Sequence, residues 1–180
     1  KSFHIRVSAI TPVSEAFLSK LGVWNRIARK QSFHATKVWD QNSHGQLNFN
    51  ASDEGLDRLG SIVENDLIQA ALFASLDREK IECIKDSLTA LEKNEEGYQI
   101  TLGDQTKLGC QLLIGADGAQ SQVRRLSGIG TSENDYQQQA IIANIACDKS
   151  FDGAIWQRFL SNSIIALLPL SNKQASIVWS

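Results

Sequence analysis

The string Leu112-Leu113-Ile114-Gly115-Ala116-Asp117-Gly118-Ala119-Gln120-Ser121-Gln122-Val123-Arg124-Arg125 constrains this chain more than any other stretch. An apolar run stops at a glycine, two glycines flank a carboxylate, and a helix-forming segment begins with two arginines in its first turns. Gly115 and Gly118 permit positive φ and close backbone approach. Ser121 or Ala119 can open a helix whose free N–H groups face the loop. A carboxylate at Asp117 can hold ribose hydroxyls or neighbouring backbone N–H groups, and Arg124 can face a pyrophosphate. The same residues also fit a left-handed turn with a capping Asp and solvated arginines, and Gly-rich loops are common.

The rest of the chain is read around that junction. Thr11-Pro12 opens a helix whose stripe is Val13, Phe17, Leu18 and Leu21, with Gly22 as its C-cap and a short second helix from Val23 to Ile27. Residues 33–40 and 46–50 are expected to pair across the turn Asn42-Ser43-His44-Gly45. Gly60–Val63 is a short strand leading into a helix capped by Asn65 or Asp66, with Leu67, Ile68, Ala71, Leu72 and Leu76 on one apolar face. Ile81–Ile84 reads as a short apolar strand after that helix, and Leu112–Ile114 as a buried strand. Residues 88–92, 98–102 and 106–109 read as an antiparallel meander, and Ser121–Ser127 as a helix. Beyond Tyr136 the chain is rich in strands. The fold class is α/β of the mixed α+β kind, with a second antiparallel sheet built from two separated β segments.

Composition excludes several functions. A net charge of −2 with no clustered Lys/Arg leaves nucleic-acid binding without an electrostatic footprint. The longest apolar runs, Ser163–Leu170 and Cys110–Ala116, are far short of a membrane span. His4, His34 and His44 lack metal spacing, and no Ser–His–acid or Cys–His arrangement is evident, so we expect no metal site and no catalytic nucleophile or acid–base residue. Cys83, Cys110 and Cys147 are far apart and odd in number; they read as reduced, buried thiols of a cytoplasmic protein. The chain starts at Lys1 and contains no Met. We read it as an internal piece of a longer polypeptide, or as a sequence from which modified methionines are missing.

Gly-Ala-Asp-Gly with Ser and Val-Arg after it resembles the Asp-Gly motif of class A FAD-dependent aromatic monooxygenases. Arg6-Val7-Ser8-Ala9-Ile10 followed by Leu21-Gly22-Val23-Trp24 is similar to their ubiquinone-biosynthesis hydroxylase branch, as are Val63-Glu64-Asn65, Gly128-Ile129-Gly130, Leu168-Pro169-Leu170 and Ile177-Val178-Trp179, all in family order. The resemblance implies a partial Rossmann-like FAD-binding domain (1–30 and 61–130) and a partial antiparallel-sheet substrate domain (31–60 and 131–180), as in p-hydroxybenzoate-hydroxylase-like flavoproteins.

It further implies cofactor-binding roles for Arg6, Glu64, Asn65, Asp117, Gly118 and Arg124, and a place for Leu168 and Pro169 in the sheet that lies over the flavin and substrate. Trp156 and Phe159 are either apolar substrate wall or sheet core. The cofactors implied are FAD and NAD(P)H, and the activity is hydroxylation of a polyprenylated phenol or benzoquinol ring, with O₂ as oxygen donor through a flavin C4a-hydroperoxide. Peripheral contact with the inner membrane and a complex with other ubiquinone-biosynthesis proteins are implied as well. The family's Gly-x-Gly-x-x-Gly unit would precede Arg6 and its Gly-Asp motif would follow Ser180. The chain thus carries one of three FAD motifs and is expected to hold FAD weakly by itself. Two alternatives stay open: a flavoenzyme of the same fold with another substrate, such as a phenol hydroxylase or prenyl reductase, or a non-catalytic assembly subunit.

Overall fold

A computed structural model describes residues 2–180; Lys1 lies outside the described residues. In chain order the elements are β1 (Val7–Ile10), α1 (Pro12–Lys20), β2 (Gln31–Phe33), β3 (Ala35–Asp40), β4 (Gln46–Asn50), β5 (Gly60–Glu64), α2 (Asn65–Ala74), β6 (Leu88–Asn94), β7 (Gly97–Leu102), β8 (Lys107–Cys110), α3 (Gln122–Leu126), β9 (Ile141–Ala146), β10 (Ala154–Phe159), β11 (Ile164–Pro169) and β12 (Gln174–Trp179). Among the described residues, 2–77 and 137–180 make one compact unit, and 78–136 a second.

The first unit holds two sheets. One is three-stranded, in the order β1-β5-β2 and antiparallel throughout; the other is six-stranded, in the order β4-β3-β10-β11-β12-β9. The larger sheet unites the two β segments that are far apart in sequence. β10 runs parallel to β3, with Ala154 opposite Ala35 and Phe159 opposite Asp40, while the other pairings are antiparallel. The β3–β4 hairpin forms where its turn chemistry places it: the Asp40 carboxylate accepts the Asn42 N–H at 2.7 Å, and Ser43 Oγ accepts the Gly45 N–H at 3.0 Å. Side chains on one strand alternate between faces, so this register fixes which residues share each face.

Two apolar clusters hold the unit together. Val23, Trp24, Ile27, Val63 and Ala71 form one, joined by Ile10, Leu18, Leu67 and Ile68. Phe33, Ile62, Ile155 and Leu170 form the other, with Phe3, Val7, Leu59 and Leu168 against them. The second cluster ties the inner part of the large sheet to the small one.

Helix α1 begins as its sequence dictates: Thr11 Oγ1 accepts the Ser14 N–H and Pro12 sits in the first turn. Its orientation departs from expectation. Of the predicted apolar stripe, only Leu18 packs inward; Val13 is 81% and Phe17 62% exposed. The buried residue is Glu15, whose carboxylate takes the Ser61 hydroxyl at 2.8 Å and an ion pair with Arg58. That pair raises the Arg58 guanidinium above its ordinary value, chiefly through the hydrogen bond to Glu15.

Helix α2 also differs in detail. Glu64 stands at its N-cap without a side-chain cap, whereas Asn65 and Asp66 are spent on other partners.

The second unit contains the expected meander, β6-β7-β8, with Asn94 opposite Gly97 at its first turn. Two expected strands do not form. Ile81–Ile84 is irregular, with both isoleucines exposed, and Leu112–Ile114 is irregular with Leu112 72% and Ile114 75% exposed. Among the described residues no strand pairs with either, and a strand needs a ladder partner for its N–H and C=O groups. The cysteines are less enclosed than expected: Cys83 is exposed, and Cys110 and Cys147 are half-buried.

Candidate functional site

The Asp-Gly loop belongs to the second unit. Asp117 Oδ1 accepts the Ser121 hydroxyl, and Oδ2 accepts the backbone N–H groups of Gln122 at 2.6 Å and Val123 at 3.2 Å. Ser121 Oγ in turn accepts the Arg124 N–H at 3.0 Å and caps α3. The carboxylate therefore faces the start of its own helix, an arrangement the sequence held open beside ribose binding. These donors, the Ser121 hydroxyl first, hold the Asp117 carboxyl down to about 2. Gly118 makes the turn at φ +82°, where a side chain would be strained. A Cβ on Gly115 would come within 3.0 Å of Val123, so the loop is pressed against α3.

Arg124 curls back, donating from Nη1 to the Ala119 carbonyl at 2.8 Å. A cleft of about 570 Å³ opens beside it, edged by Lys93 and Tyr98 of the meander and by Leu113, Ser121 and Val123.

Arg6, Glu64, Asn65, Leu168 and Pro169 all belong to the first unit. The Arg6 backbone is pinned on both sides: its N–H donates to His4 Nδ1 at 3.3 Å and its carbonyl accepts the Asn65 N–H at 3.1 Å. Its guanidinium is exposed and has no hydrogen-bond or ion-pair partner among the described residues. Asn65 Oδ1 accepts the Ser8 hydroxyl at 2.8 Å, across the β1–β5 junction. Glu64 is buried and fully engaged: Arg29 donates to it through Nε at 2.9 Å and Nη2 at 2.8 Å, and the His4 N–H reaches Oε1 at 2.6 Å. The Arg29 guanidinium also lies over the Phe3 ring, 4.4 Å from its centroid. Leu168 packs against the Phe33 cluster and Pro169 is fully buried.

Sequence reasoning missed Arg29, His4 and Phe3. The only local signal was an arginine just before β2, with nothing to say that it would meet a carboxylate 35 residues away. No group of three His, Cys, Asp or Glu able to hold a metal occurs among the described residues, and no helix among them is long and apolar enough to cross a membrane. Trp156, one of the two undecided aromatics, forms an edge-to-face pair with Trp39 at 5.7 Å between ring centroids, and Lys37 lies over its ring.

Comparison with known proteins adds to this geometry. Mouse (Mus musculus) ubiquinone biosynthesis monooxygenase COQ6, mitochondrial, is 37% identical over all of this chain and 40% of its own length. The 3-demethoxyubiquinol 3-hydroxylase of Escherichia coli strain K12 is 32% identical over 97% of this chain and 46% of its own length. The chain thus spans less than half of these relatives. Among solved structures, Pseudomonas aeruginosa PqsL in complex with 2-aminobenzoylacetate superposes with a TM-score of 0.80 at 19% identity, over 97% of this chain and 49% of that one. Klebsiella pneumoniae HpxO complexed with FAD and uric acid gives 0.71 at 16% identity, over 99% of this chain and 47% of that one; both show the fold. The family model described as FAD binding domain matches residues 2–180, and over that span the chain belongs to the FAD binding domain family.

Proposed function

We propose that this chain is the central part of an FAD- and NAD(P)H-dependent hydroxylase that acts on the ring of a polyprenylated phenol or benzoquinol in ubiquinone biosynthesis. The observation that carries the reading is the similarity, over essentially the whole chain, to two relatives named for monooxygenation or hydroxylation in that chemistry.

The residues present fit FAD. The unpartnered Arg6 guanidinium offers its five donors to pyrophosphate or ribityl oxygens, and the Asn65 carboxamide stands beside the same junction. Glu64 fits a different part: with both oxygens taken by Arg29 and His4, it holds the head of α2 and so places Asn65. Asp117 and Gly118 shape the loop that leads into α3, the helix that carries Arg124. Bound FAD would supply the redox chemistry, by which two electrons from NAD(P)H and one O₂ give a hydroxylated ring and water. The protein's part is to hold, orient and exclude water.

In this reading residues 1–30 and 61–130 serve the cofactor, while 31–60 and 131–180, Leu168 and Pro169 included, form the substrate side. The whole enzyme meets its membrane-borne substrate peripherally or through other ubiquinone-biosynthesis proteins. The test uses the full-length gene product loaded with FAD, a short-chain demethoxy- or demethyl-quinol, and ¹⁸O₂. One labelled oxygen per hydroxylated product and quinol-stimulated NAD(P)H oxidation are expected. Unlabelled product, or NAD(P)H oxidation indifferent to the quinol, overturns the reading.

A further inference from the structure

We propose that Gln157 is the residue that orients the substrate ring, by a hydrogen bond from its carboxamide to a ring oxygen of an uncharged phenol or quinol. The proposal rests on the hydroxylase reading above. The six-stranded sheet turns one of its faces toward the segment that carries Arg6.

Two sets of contacts identify that face. Asn144 on β9 donates its side-chain N–H to the carbonyls of Phe3 at 3.0 Å and His4 at 3.3 Å, and Leu168 on β11 packs against the buried Phe33–Ile62–Ile155–Leu170 cluster, to which Phe3 and Val7 also bring the segment around Arg6. Both sets lead to the segment that carries Arg6. Asn144 and Leu168 each stand opposite Ser176, so they share one face. Strand alternation then assigns the rest of that face. One row across the sheet reads Leu47, Val38, Gln157, Ala166, Val178, Ile142, each opposite the next.

Gln157 is the one polar side chain in that row. It is half-buried, and its carboxamide has no partner among the described residues. Its amide atoms are not sealed from solvent, so they are open to a hydrogen bond from a ligand that displaces that water. Beside it stands Ala166, the smallest side chain of the row, with Ile164 and Leu168 two residues away on the same strand. With only a methyl group at Ala166, the position beside the amide is the least filled of the row. The chemistry of the lining selects the occupant. The strand residues of this face include no Lys or Arg, because Lys37 and Arg158 alternate to the opposite face, and the face's one acid, Asp40, lies at the end of β3. A neutral hydroxylated ring is matched by one carboxamide among Val38, Ala166 and Val178, whereas a ring carboxylate would find no cation there.

The test is carried out on the full-length holoenzyme with Gln157→Leu, which keeps the size and removes both hydrogen-bonding atoms, and Gln157→Asn, which keeps the amide but withdraws it by one methylene. Gln46→Leu, on the opposite face at the exposed end of β4, is the control. Four quantities are measured: flavin retention, NAD(P)H oxidation without quinol, KM for the quinol, and the fraction of NAD(P)H that appears as hydroxylated product rather than hydrogen peroxide. In Gln157→Leu the first two are unchanged, KM rises and coupling falls about three- to tenfold, the loss of one neutral hydrogen bond. Gln157→Asn lies between it and wild type, and Gln46→Leu matches wild type. A Gln157→Leu enzyme as well coupled as wild type, with the same KM, overturns the proposal alone. Should Gln157→Leu not fold, wild-type coupling and KM in Gln157→Asn overturn it equally. A wild-type enzyme that hydroxylates no such ring overturns the parent reading and the proposal together.

Discussion

Arg29 grips Glu64 with a two-pronged hydrogen bond, Nε to Oε2 at 2.9 Å and Nη2 to Oε1 at 2.8 Å. The carboxylate is buried while the guanidinium side is 37% exposed, so the pair is asymmetric: solvent can rescue the cation but not the anion. Removing the cation leaves a buried charge uncompensated, and the exposed rim of Arg29 puts the cost at the low end of the range for such pairs, about 3 kcal/mol. Arg29→Ala is expected to lower the urea midpoint accordingly. Glu64→Gln, which keeps an acceptor for the His4 N–H, should cost clearly less. Equal midpoints for the two variants would show that the ion pair is not what holds the head of α2.

Asp117 carries a pH dependence whose sign is fixed by its hydrogen bonds. Its folded carboxyl lies near 2, below the ordinary unfolded value of about 3.9. A depressed carboxylate adds stability that is present above the unfolded value and is lost as pH falls toward the folded one. Its ¹³C carboxyl resonance should therefore stay in the ionised position at pH 3 and move only near pH 2. Asp117→Ala should speed hydrogen exchange at the Gln122 and Val123 amides, which lose their acceptor. A carboxyl that titrates at an ordinary value would remove the cap from the account of this loop.

Helix α1 offers a test of orientation. On periodicity, Phe17 belongs to its core stripe and Glu15 to its solvent face; the structure reverses them. Glu15→Ala deletes the acceptor of Ser61 and Arg58 and is expected to cost about 2–3 kcal/mol, whereas Phe17→Ser should fall within about 0.5 kcal/mol of wild type. Chemical denaturation of both variants checks the order. A large loss from Phe17→Ser beside a small one from Glu15→Ala would restore the periodic reading.

These cases separate what was legible in the residues from what was not. The meander around Asn94–Gly97, the Asn42–Gly45 hairpin and the Ser121 cap are local: turn residues and alternation act within about ten positions and suffice to place them. Asp117 was legible as a loop carboxylate, although its two candidate partners, ribose or backbone, differ only in three dimensions. The Arg29–Glu64 fork was invisible because it depends on the approach of β2 to β5. Leu112–Ile114 failed as a strand for a related reason, since apolar character licenses burial but the ladder needs a neighbour. The face of Gln157 follows from register, and register is a property of pairing rather than of any single strand.

Arg6 gives the most direct test of the cofactor reading, because its backbone and side chain have separate jobs. The His4 ring and the Asn65 amide fix its main chain, and any replacement keeps those bonds. The guanidinium is exposed and without a protein partner, so its removal should leave the apoprotein melting behaviour within about 0.5 kcal/mol of wild type. Against a phosphate or ribityl oxygen the same group would make charge-assisted bonds of about 1.5–3 kcal/mol, equivalent to roughly ten- to hundredfold in affinity. In the full-length enzyme, Arg6→Gln is expected to weaken FAD retention by that factor. Arg6→Lys should recover part of it, since it keeps the charge but loses the planar fork. Flavin fluorescence titration of the apoenzyme, run beside thermal melts of the same preparations, separates the two jobs. Unchanged FAD affinity in Arg6→Gln, or a loss matched by an equal loss of fold stability, would take Arg6 out of the site and leave the FAD reading of this unit to Asn65 alone.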